Sequence, residues 1–514
     1  MSDLSHPNSP SPTDSESDGE SAHSGYDPTY SSDEPMYPKR QRLCARIRKA
    51  AVDLITALPE SLLLHVLSFL PIEDAVKTQV LSKRWLHLWT YSTSLVFLHD
   101  SDKSVSDFVS FVDRTLVLCN CTKLKKLGVR FAYEPDYASN VNLWTMFAMG
   151  KGAEELQLDF ENVPWEIDEE VGYYLLPQLL YSKSSFKVLQ FSKCNVMPKG
   201  VVCWNSLKKL SIGYAGLSED VIQKILAGSP VLEILELYYF YGFNRLHISN
   251  ASVKKLILRD FWEHNEEVEE EYQIDRYLSM LEVSAPHLHS LEILGHLRDK
   301  ICRLGDVSSL VDANLNFYME IYHSYDNVSY VNMLRGLLQS LVHVKKITLG
   351  TLAIQVLSIM EAKGLRSPLL NCEFLTLDTG IWKPVLPGIA NMLESSPNLE
   401  TLVITTSSSN YDACFSDACT ELCNFDEKSY WTSKEKPFMC LTLHLHEVKF
   451  IGLGSYNFDF HLSFAQFLLK NARVLQKMVI DSKTESCNWP KEFVRAARKL
   501  LSFPRSSPNA VVLF

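Results

Sequence analysis

A short hydrophobic pattern recurs along most of the chain, from about residue 120 to residue 480. It consists of an apolar residue, two residues of any kind, a leucine or isoleucine, one further residue and a final apolar residue. Its alternating end is typical of a β-strand that is buried on one face. Ten copies occur: LKKLGV (124–129), AEELQL (153–158), FKVLQF (186–191), LKKLSI (207–212), LEILEL (232–237), VKKLIL (253–258), LHSLEI (288–293), VKKITL (344–349), CEFLTL (372–377) and LETLVI (399–404). In the middle of the chain the copies begin 21 to 25 residues apart, at Phe186, Leu207, Leu232 and Val253.

Between the strands the sequence carries signals for short helices. Ser218 can cap a helix that has Glu219 in its first turn and ends before Gly228. The segment GIANMLESSP (388–397) repeats this arrangement, so the repeated unit is helix, turn and strand. Stacked units of this kind share a continuous core and form a curved sheet along one side. The pattern therefore predicts an α/β fold, an irregular solenoid with helices and loops on its convex side.

One residue in each strand, between the last two apolar positions, is expected to point away from the core. These residues are candidates for contact with a substrate: Gln157, Gln190, Ser211, Glu236, Ile257 and Glu292. For any single one of them, a solvated strand residue without a specific role is the more common explanation.

The stretch LPESLLLHVLSFLPIEDAVKTQVLSKRWLHLWTY (58–91) is apolar on more than one side. On its first predicted helix, one stripe has Leu63, Val66, Leu67 and Leu70 at helical spacing, and a second has Leu62 and Phe69. After Pro71 a second helix carries Ile72 and Val76, and a third, which Ser82 can cap, carries Trp85, Leu88 and Trp89. Domains below about 40 residues rarely close a core unaided. One face is therefore expected to pack on the rest of the chain and the other to bind a partner.

Composition narrows the class of protein. The chain has 514 residues, of which 46% are hydrophobic, and a net charge of −11. No apolar run approaches the roughly 18 residues of a membrane helix, and the N-terminus shows no secretory signal. The 12 cysteines lack a repeated CxxC spacing, which indicates free thiols in a reducing compartment. We expect an intracellular protein without a membrane segment, and the acidic net charge argues against a nucleic-acid partner.

The first 50 residues differ from the rest. Residues 1–34 contain ten serines and eight acidic residues but no lysine or arginine, so we expect residues 1–50 to form a disordered tail. A basic cluster follows the acidic part: Lys39, Arg40, Arg42, Arg46, Arg48 and Lys49. It is interpreted either as a nuclear import signal or as a basic linker that neutralises the acidic tail. The expected location is the nucleus, the cytoplasm or both.

Catalytic and metal-binding motifs are missing from the sequence. Neither a GxSxG nucleophile elbow nor an HExxH site occurs, and the glycines near Gly150 and Gly452 lack the spacing of nucleotide-binding loops. The cysteines and histidines between Cys414 and His446 do not follow paired zinc-ligand spacing, and the alternation in LTLHLHEV (441–448) predicts that His444 and His446 lie on one face of a strand. We therefore expect a protein that is not an enzyme and needs no metal or cofactor.

The stretch 58–91 resembles an F-box, through its Leu-Pro start, the segment LLLHVLSFLP, the triplet DAV and the ending VLSKRWLHLW. The resemblance implies three helices that dock on a Skp1-like adaptor, which in turn binds the cullin of a ubiquitin ligase. Carried over by position, one adaptor-binding segment has Leu58, Pro59, Leu62, Leu63, Val66, Leu67, Leu70 and Pro71, and the other has Val76, Val80, Leu81, Arg84 and Trp85.

The remaining sequence resembles plant F-box/leucine-rich-repeat proteins that carry an FBD region, through segments such as SSLVDANLNF (308–317) and LLQSLVHVKKITLG (337–350). The expected organisation is tail 1–50, F-box 51–95, leucine-rich-repeat array 96–370, FBD-like repeats 371–485 and C-terminal tail 486–514. The resemblance implies a substrate-recognition subunit that binds the adaptor, the cullin through it, and a protein target of unknown identity. The alternative is an F-box scaffold, nuclear or otherwise, that never joins a ligase.

Overall fold

The computed structural model describes residues 58–160, 172–182, 185–261, 279–297, 300–318, 327–406, 430–431, 438–453, 458–482 and 498–514. The N-terminal tail, the basic cluster and the cysteines Cys414, Cys419 and Cys423 lie outside these residues. The chain divides into two units, Met1–Pro59 and Glu60–Phe514, and the elements below belong to the second.

Twenty strands occur in the described residues. Their bounds are β1 Ser94–Leu98, β2 Lys126–Arg130, β3 Glu155–Asp159, β4 Tyr174–Leu175, β5 Val188–Ser192, β6 Cys194–Asn195, β7 Lys209–Gly216, β8 Ile234–Tyr241, β9 Arg245–His247, β10 Lys255–Phe261, β11 Ser279–Ser284, β12 Ser290–Leu297, β13 Lys300–Leu304, β14 Asp312–Tyr318, β15 Lys346–Gly350, β16 Phe374–Asp378, β17 Thr401–Thr405, β18 Glu447–Leu453, β19 Lys477–Ser482 and β20 Val511–Leu513. Fifteen of them form one sheet in the order β1-β2-β3-β5-β7-β8-β10-β12-β14-β15-β16-β17-β18-β19-β20, and every pairing in it is parallel. Two small sheets, β13-β11-β9 and β4-β6, lie in the connections.

Helices occupy many of the crossovers between parallel strands. The α-helices in the described residues are α1 Glu60–Leu67, α2 Ile72–Lys77, α3 Val105–Leu118, α4 Ala138–Gly150, α5 Gln178–Tyr181, α6 Glu219–Ala227, α7 Asn327–Ser340, α8 Thr351–Ala362, α9 Leu386–Ser395, α10 Met439–Leu443 and α11 Phe458–Asn471. Short 3₁₀-helices span Thr78–Val80, Leu88–Tyr91, Pro135–Tyr137 and Lys383–Val385. The predicted cap of α6 is confirmed, because the Ser218 hydroxyl accepts a hydrogen bond from the Val221 amide at 3.3 Å.

The ten copies of the hydrophobic pattern are all strands of the large sheet, as predicted. Their register aligns equivalent leucines into a row that is at most 2% exposed: Leu127, Leu156, Leu189, Leu210, Leu235, Leu256 and Leu291. A second buried row lies two residues further along the same strands: Val129, Leu158, Phe191, Ile212, Leu237, Leu258 and Ile293. Burial of each such side chain contributes about 1.5–3 kcal/mol, so these rows are the main reason for the stacking.

Five neighbouring strands share a backbone irregularity near their C-terminal ends, which the pattern did not predict. It lies at equivalent register positions in all five. The residues there have positive φ: Lys193, Tyr214, Tyr239, Asp260 and Gly295. In the strands that continue past this level, the extra residue returns the next side chain to the core, as Phe240 and Phe261 show. The Tyr214 and Tyr239 rings stack with their centroids 4.4 Å apart. Because these irregular positions are in register across the sheet, neighbouring strands remain paired beyond them.

Three sequence expectations differ from the structure. The third F-box helix is a run of turns that ends in the 3₁₀-helix Leu88–Tyr91, and the Ser82 hydroxyl makes no hydrogen bond within the described residues. The segment predicted as a C-terminal tail contains β20, which pairs with β19 and extends the sheet. His444 and His446 do not lie on a strand; they follow α10 and precede β18.

A pair of glycines tests the packing of α9 on α8. A Cβ atom on Gly388 would lie 2.0 Å from the Ile354 carbonyl oxygen, whereas one on Gly336 of α7 would meet nothing within 4 Å. We expect Gly388→Ala to lower the melting temperature, with a cost of about 1–3 kcal/mol or more for the overpacking. Gly336→Ala is the control and is expected to be neutral or stabilising, by up to about 1 kcal/mol, since alanine is the better helix former.

Thermal unfolding followed by circular dichroism checks this pair. Equal melting temperatures for the two variants would contradict the close approach of the two helices.

Candidate functional site

The first F-box helix has two apolar sides with opposite surroundings. Leu63 and Leu67 are 0% exposed. Leu62 and Val66 are exposed, and so is Phe69 in the turn after α1, at 74%. Residues four apart lie on the same helix face, so α1 has an inner pair, Leu63 and Leu67, and an outer pair, Leu62 and Val66. Val66 therefore belongs to the outer side, whereas its sequence spacing had grouped it with Leu63 and Leu67.

A second exposed apolar pair follows the second helix. Val80 ends the 3₁₀-helix Thr78–Val80 and is 85% exposed, and Leu81 beside it is also exposed. We call Leu62, Val66, Phe69, Val80 and Leu81 the exposed apolar set. Single exposed leucines are common on protein surfaces, but five large apolar side chains within twenty residues are typical of a binding surface.

The opposite side of the F-box segment is fixed to the repeat array. Helix α2 contacts strand β1 and the 3₁₀-helix Leu88–Tyr91. Glu73 accepts a hydrogen bond from Lys103 Nζ at 3.1 Å. The Thr90 carbonyl oxygen accepts one from the Asn120 amide at 2.8 Å. The segment thus shares its core with the first strand of the array, which explains how so short a unit stays folded while one side remains exposed.

The predicted adaptor-binding residues fall into three groups. The exposed ones are Pro59, Leu62, Val66, Val80, Leu81 and Arg84. The half-buried ones are Leu58, Leu70, Pro71 and Val76. The buried ones are Leu63, Leu67 and Trp85. The sequence predicted that this last group contacts an adaptor. The structure instead places these residues in the core, because no more than 2% of each residue is accessible.

Sequence reasoning left some exposed apolar residues out of the adaptor-binding set. Phe69, Leu86 and Tyr91 are exposed in the same segment. Phe69 could have been included, since it lies seven residues after Leu62 on the second stripe. Leu86 and Tyr91 lie where turns replace the predicted third helix, so helical spacing gave no guide to their direction.

The predicted substrate-facing residues lie in a single row across six strands. The register pairs Gln157 with Gln190, and continues through Ser211, Glu236 and Ile257 to Glu292. Gln157, Gln190, Glu236 and Glu292 are half-buried. Ser211 and Ile257 were also predicted to face a substrate. They are only 2% and 9% exposed, however, and offer little surface to a partner. We call the four half-buried residues the polar row.

Lysines from neighbouring strands partly neutralise the acids of the polar row. Lys209 Nζ lies 3.3 Å from Glu236 Oε2, and Lys255 Nζ lies 2.6 Å from Glu292 Oε1. Exposed ion pairs of this kind contribute about 0–1 kcal/mol to stability. They are therefore weak enough for the charges to exchange partners, and the row can recognise a surface that offers both hydrogen-bond donors and acceptors.

Metal-binding clusters and reactive thiols are the groups that would indicate chemistry in the part of the chain that the structure covers. No cluster there of three or more histidine, cysteine or acidic residues could hold a metal ion. Burial raises the pKa of Cys302, Cys372 and Cys440 to about 12, so these thiols are poor nucleophiles. Among the residues described, no helix combines the length and apolar character that crossing a membrane requires.

Three protein-family models match the chain. The F-box domain matches residues 55–96, which contain the exposed apolar set. A model described as "FBD-associated F-box protein At5g56370, LRR repeats" matches residues 141–321, which contain the polar row. The FBD model matches residues 434–480.

Similar proteins of Arabidopsis thaliana cover most of the chain. Putative F-box/LRR-repeat protein At5g02930 is 30% identical, with 84% of this chain and 87% of the relative covered. Putative F-box/LRR-repeat protein At3g18150 is 31% identical over the same shares. F-box/LRR-repeat protein At5g02910 is 30% identical, with 84% and 88% covered.

The division of the F-box segment into inner and outer residues can be tested by stability alone. We expect Leu67→Ala to destabilise the segment by about 2–5 kcal/mol, because it leaves a cavity in the shared core. Val80→Ala is the matched control and is expected to change stability by no more than about 0.5 kcal/mol. Urea denaturation followed by circular dichroism measures both, and a loss of stability for Val80→Ala as large as that for Leu67→Ala would overturn the division.

Proposed function

Since the chain belongs to the plant F-box/leucine-rich-repeat proteins, we propose that it is a substrate-recognition subunit of a Skp1–cullin–F-box ubiquitin ligase. The observation that carries this proposal is the exposed apolar set, on the side of the F-box segment away from its buried contacts with the array. Family members of this kind are non-catalytic, and no catalytic family matches the chain.

The exposed apolar set suits a Skp1-like adaptor on energetic grounds. Full burial of a side chain such as Phe69 or Leu81 is worth about 1.5–3 kcal/mol. A few such anchors in the centre of an interface typically carry most of its binding energy. Arg84 is exposed in the same segment, where a charge at the rim of an interface steers association more than it adds affinity.

The array contributes by holding the target near the ligase. Its polar row offers amide and carboxylate groups from four of six neighbouring strands, and specificity arises when a partner satisfies these groups together. The target is a protein whose lysines are brought within reach of a ubiquitin-loaded enzyme. The chain acts by raising effective concentration and forms no bond itself.

Location and assembly complete the proposal. The cullin is reached through the adaptor, without direct contact with this chain. The protein acts in the nucleus, the cytoplasm or both; support for the nucleus comes from the basic cluster at residues 39–49.

Capture of purified partners tests adaptor binding. We expect the native chain to retain a Skp1-like adaptor and, through it, a cullin, and the double change Val80→Asp with Leu81→Asp to abolish retention of both. Burial of an unpaired carboxylate is too costly for the interface to form, while both positions are exposed in the free chain and leave the fold intact. Val201→Asp is the matched control, since Val201 is 82% exposed in the array.

The outcomes of the capture experiment separate the possibilities. Loss of capture in Val201→Asp, or retention of the adaptor by the double variant, would contradict the assigned surface. Retention of the adaptor without any cullin would support the non-ligase scaffold. Circular dichroism of each variant confirms that it is folded.

Cross-linking tests the polar row. A photo-reactive amino acid at Gln190 is expected to cross-link ubiquitinated proteins when the adaptor and cullin are present. The same group at Gln223, an exposed position on α6, is the control and is expected to capture fewer. Equal capture at the two positions would argue against the row as the target-binding surface.

A further inference from the structure

Two cysteines meet at the turn that follows α3. The sulfur atoms of Cys119 and Cys121 are 3.2 Å apart, and both residues are buried. Both are free thiols, and no other pair among the seven described cysteines has its sulfur atoms in hydrogen-bond contact. The backbone at Cys119 is extended, with φ −72° and ψ 114°, and in extended backbone residues two apart lie on the same face. The turn therefore holds a preformed dithiol.

This turn joins the F-box segment to the array. The amide of Asn120, between the two cysteines, donates to the Thr90 carbonyl oxygen at 2.8 Å. The Asn120 side-chain amide also donates to the Thr90 hydroxyl at 3.4 Å. On the other side, Lys151 Nζ donates to the Cys121 carbonyl oxygen at 2.9 Å. The dithiol thus lies between the last 3₁₀-helix of the F-box and the end of α4.

The surroundings activate one thiol of the pair. The hydrogen bond from the Cys121 thiol lowers the pKa of Cys119 to about 6, and the charge of Lys151 acts in the same direction. The same hydrogen bond and burial raise the pKa of Cys121. The contact therefore favours the thiolate of Cys119, the nucleophilic form, and the protonated form of Cys121. The buried thiols elsewhere in the array have raised pKa values and lack this activation.

We propose that Cys119 and Cys121 are a dithiol that hydroperoxides oxidise to a disulfide at the junction of F-box and array. The Cys119 thiolate attacks the terminal oxygen of the hydroperoxide, the O–O bond breaks, and protonation of the departing oxygen gives an alcohol or water. Cys119 becomes a sulfenic acid. The Cys121 sulfur then attacks the Cys119 sulfur, the S–O bond breaks and water leaves. In total two thiols lose two electrons and two protons, and the hydroperoxide is reduced.

The consequence of oxidation is local and mechanical. A disulfide has its sulfurs about 2.05 Å apart, so they must approach by roughly 1 Å from their separation in the reduced structure. The bond closes a small ring around Asn120, whose amide holds the F-box through Thr90. Oxidation therefore stiffens the junction across which the F-box and the array are joined. The dithiol chemistry itself does not depend on the proposed ligase function.

A single tryptic peptide reports on the site. Cleavage after Arg114 and Lys123 releases TLVLCNCTK (115–123), which contains both cysteines and no other. After brief treatment of the full chain with hydrogen peroxide, we expect this peptide to lose two hydrogens and to resist alkylation until a reductant is added. Cys203, which is half-buried and has no neighbouring thiol in the described structure, is the internal control and is expected to stay fully alkylatable.

Two variants separate the steps. In Cys121→Ser we expect Cys119 to stop at the sulfenic acid, which dimedone traps. In Cys119→Ser we expect neither a disulfide nor a dimedone adduct at Cys121. Circular dichroism shows whether each variant is folded. If a variant is unfolded, the test for disulfide formation rests on the native chain alone. Oxidation of TLVLCNCTK no faster than that of Cys203, or disulfides from Cys119 to distant cysteines instead, would overturn the proposal.

Discussion

The F-box segment cannot close a core by itself, and the rest of the molecule follows from that constraint. Two short helices and a run of turns cover only one side of their own apolar residues. The other side is completed by strand β1 and by hydrogen bonds such as that between Thr90 and Asn120. Because this packing uses Leu63, Leu67 and Trp85, it leaves the outer residues Leu62, Val66 and Val80 without a partner in the chain's described residues. The same arrangement that folds the segment therefore leaves the exposed apolar set uncovered.

In the array, the register of the parallel strands determines which side chains are buried and which lie on the opposite face. Parallel strands stacked in register place one pair of side chains from each strand in the core and the residue between them on the opposite face. The core rows dominate stability, so the residue between them is free to vary: glutamine in β3, serine in β7 and isoleucine in β10. The row therefore offers different groups from one strand to the next.

The sequence predicted the strands well because their signal is local. Each pattern carries its own alternation, and all ten copies are strands. The inner and outer sides of α1 were only partly predicted, since Val66 fits either stripe by spacing and only the packing on the 3₁₀-helix Leu88–Tyr91 decides. The prediction of a third F-box helix was wrong; the segment is a run of turns ending in a 3₁₀-helix, in which Trp85 and Leu88 are buried. Ser211 and Ile257 were predicted to be accessible, but whether neighbouring side chains cover a strand position cannot be read from its alternation. Strand β20 lacks the pattern and depends on pairing with β19.

Amide hydrogen exchange of the native chain, alone and saturated with a Skp1-like adaptor, tests most directly whether the outer side of the F-box segment is the docking surface. We expect slower exchange in peptides that cover residues 60–70 and 78–86 when the adaptor is bound. Peptides from the core strands β7 to β10 are expected to exchange at the same rate in both states. Protection confined to the array, or no protection in the F-box segment at saturating adaptor, would contradict the assigned surface and with it the proposed ligase role.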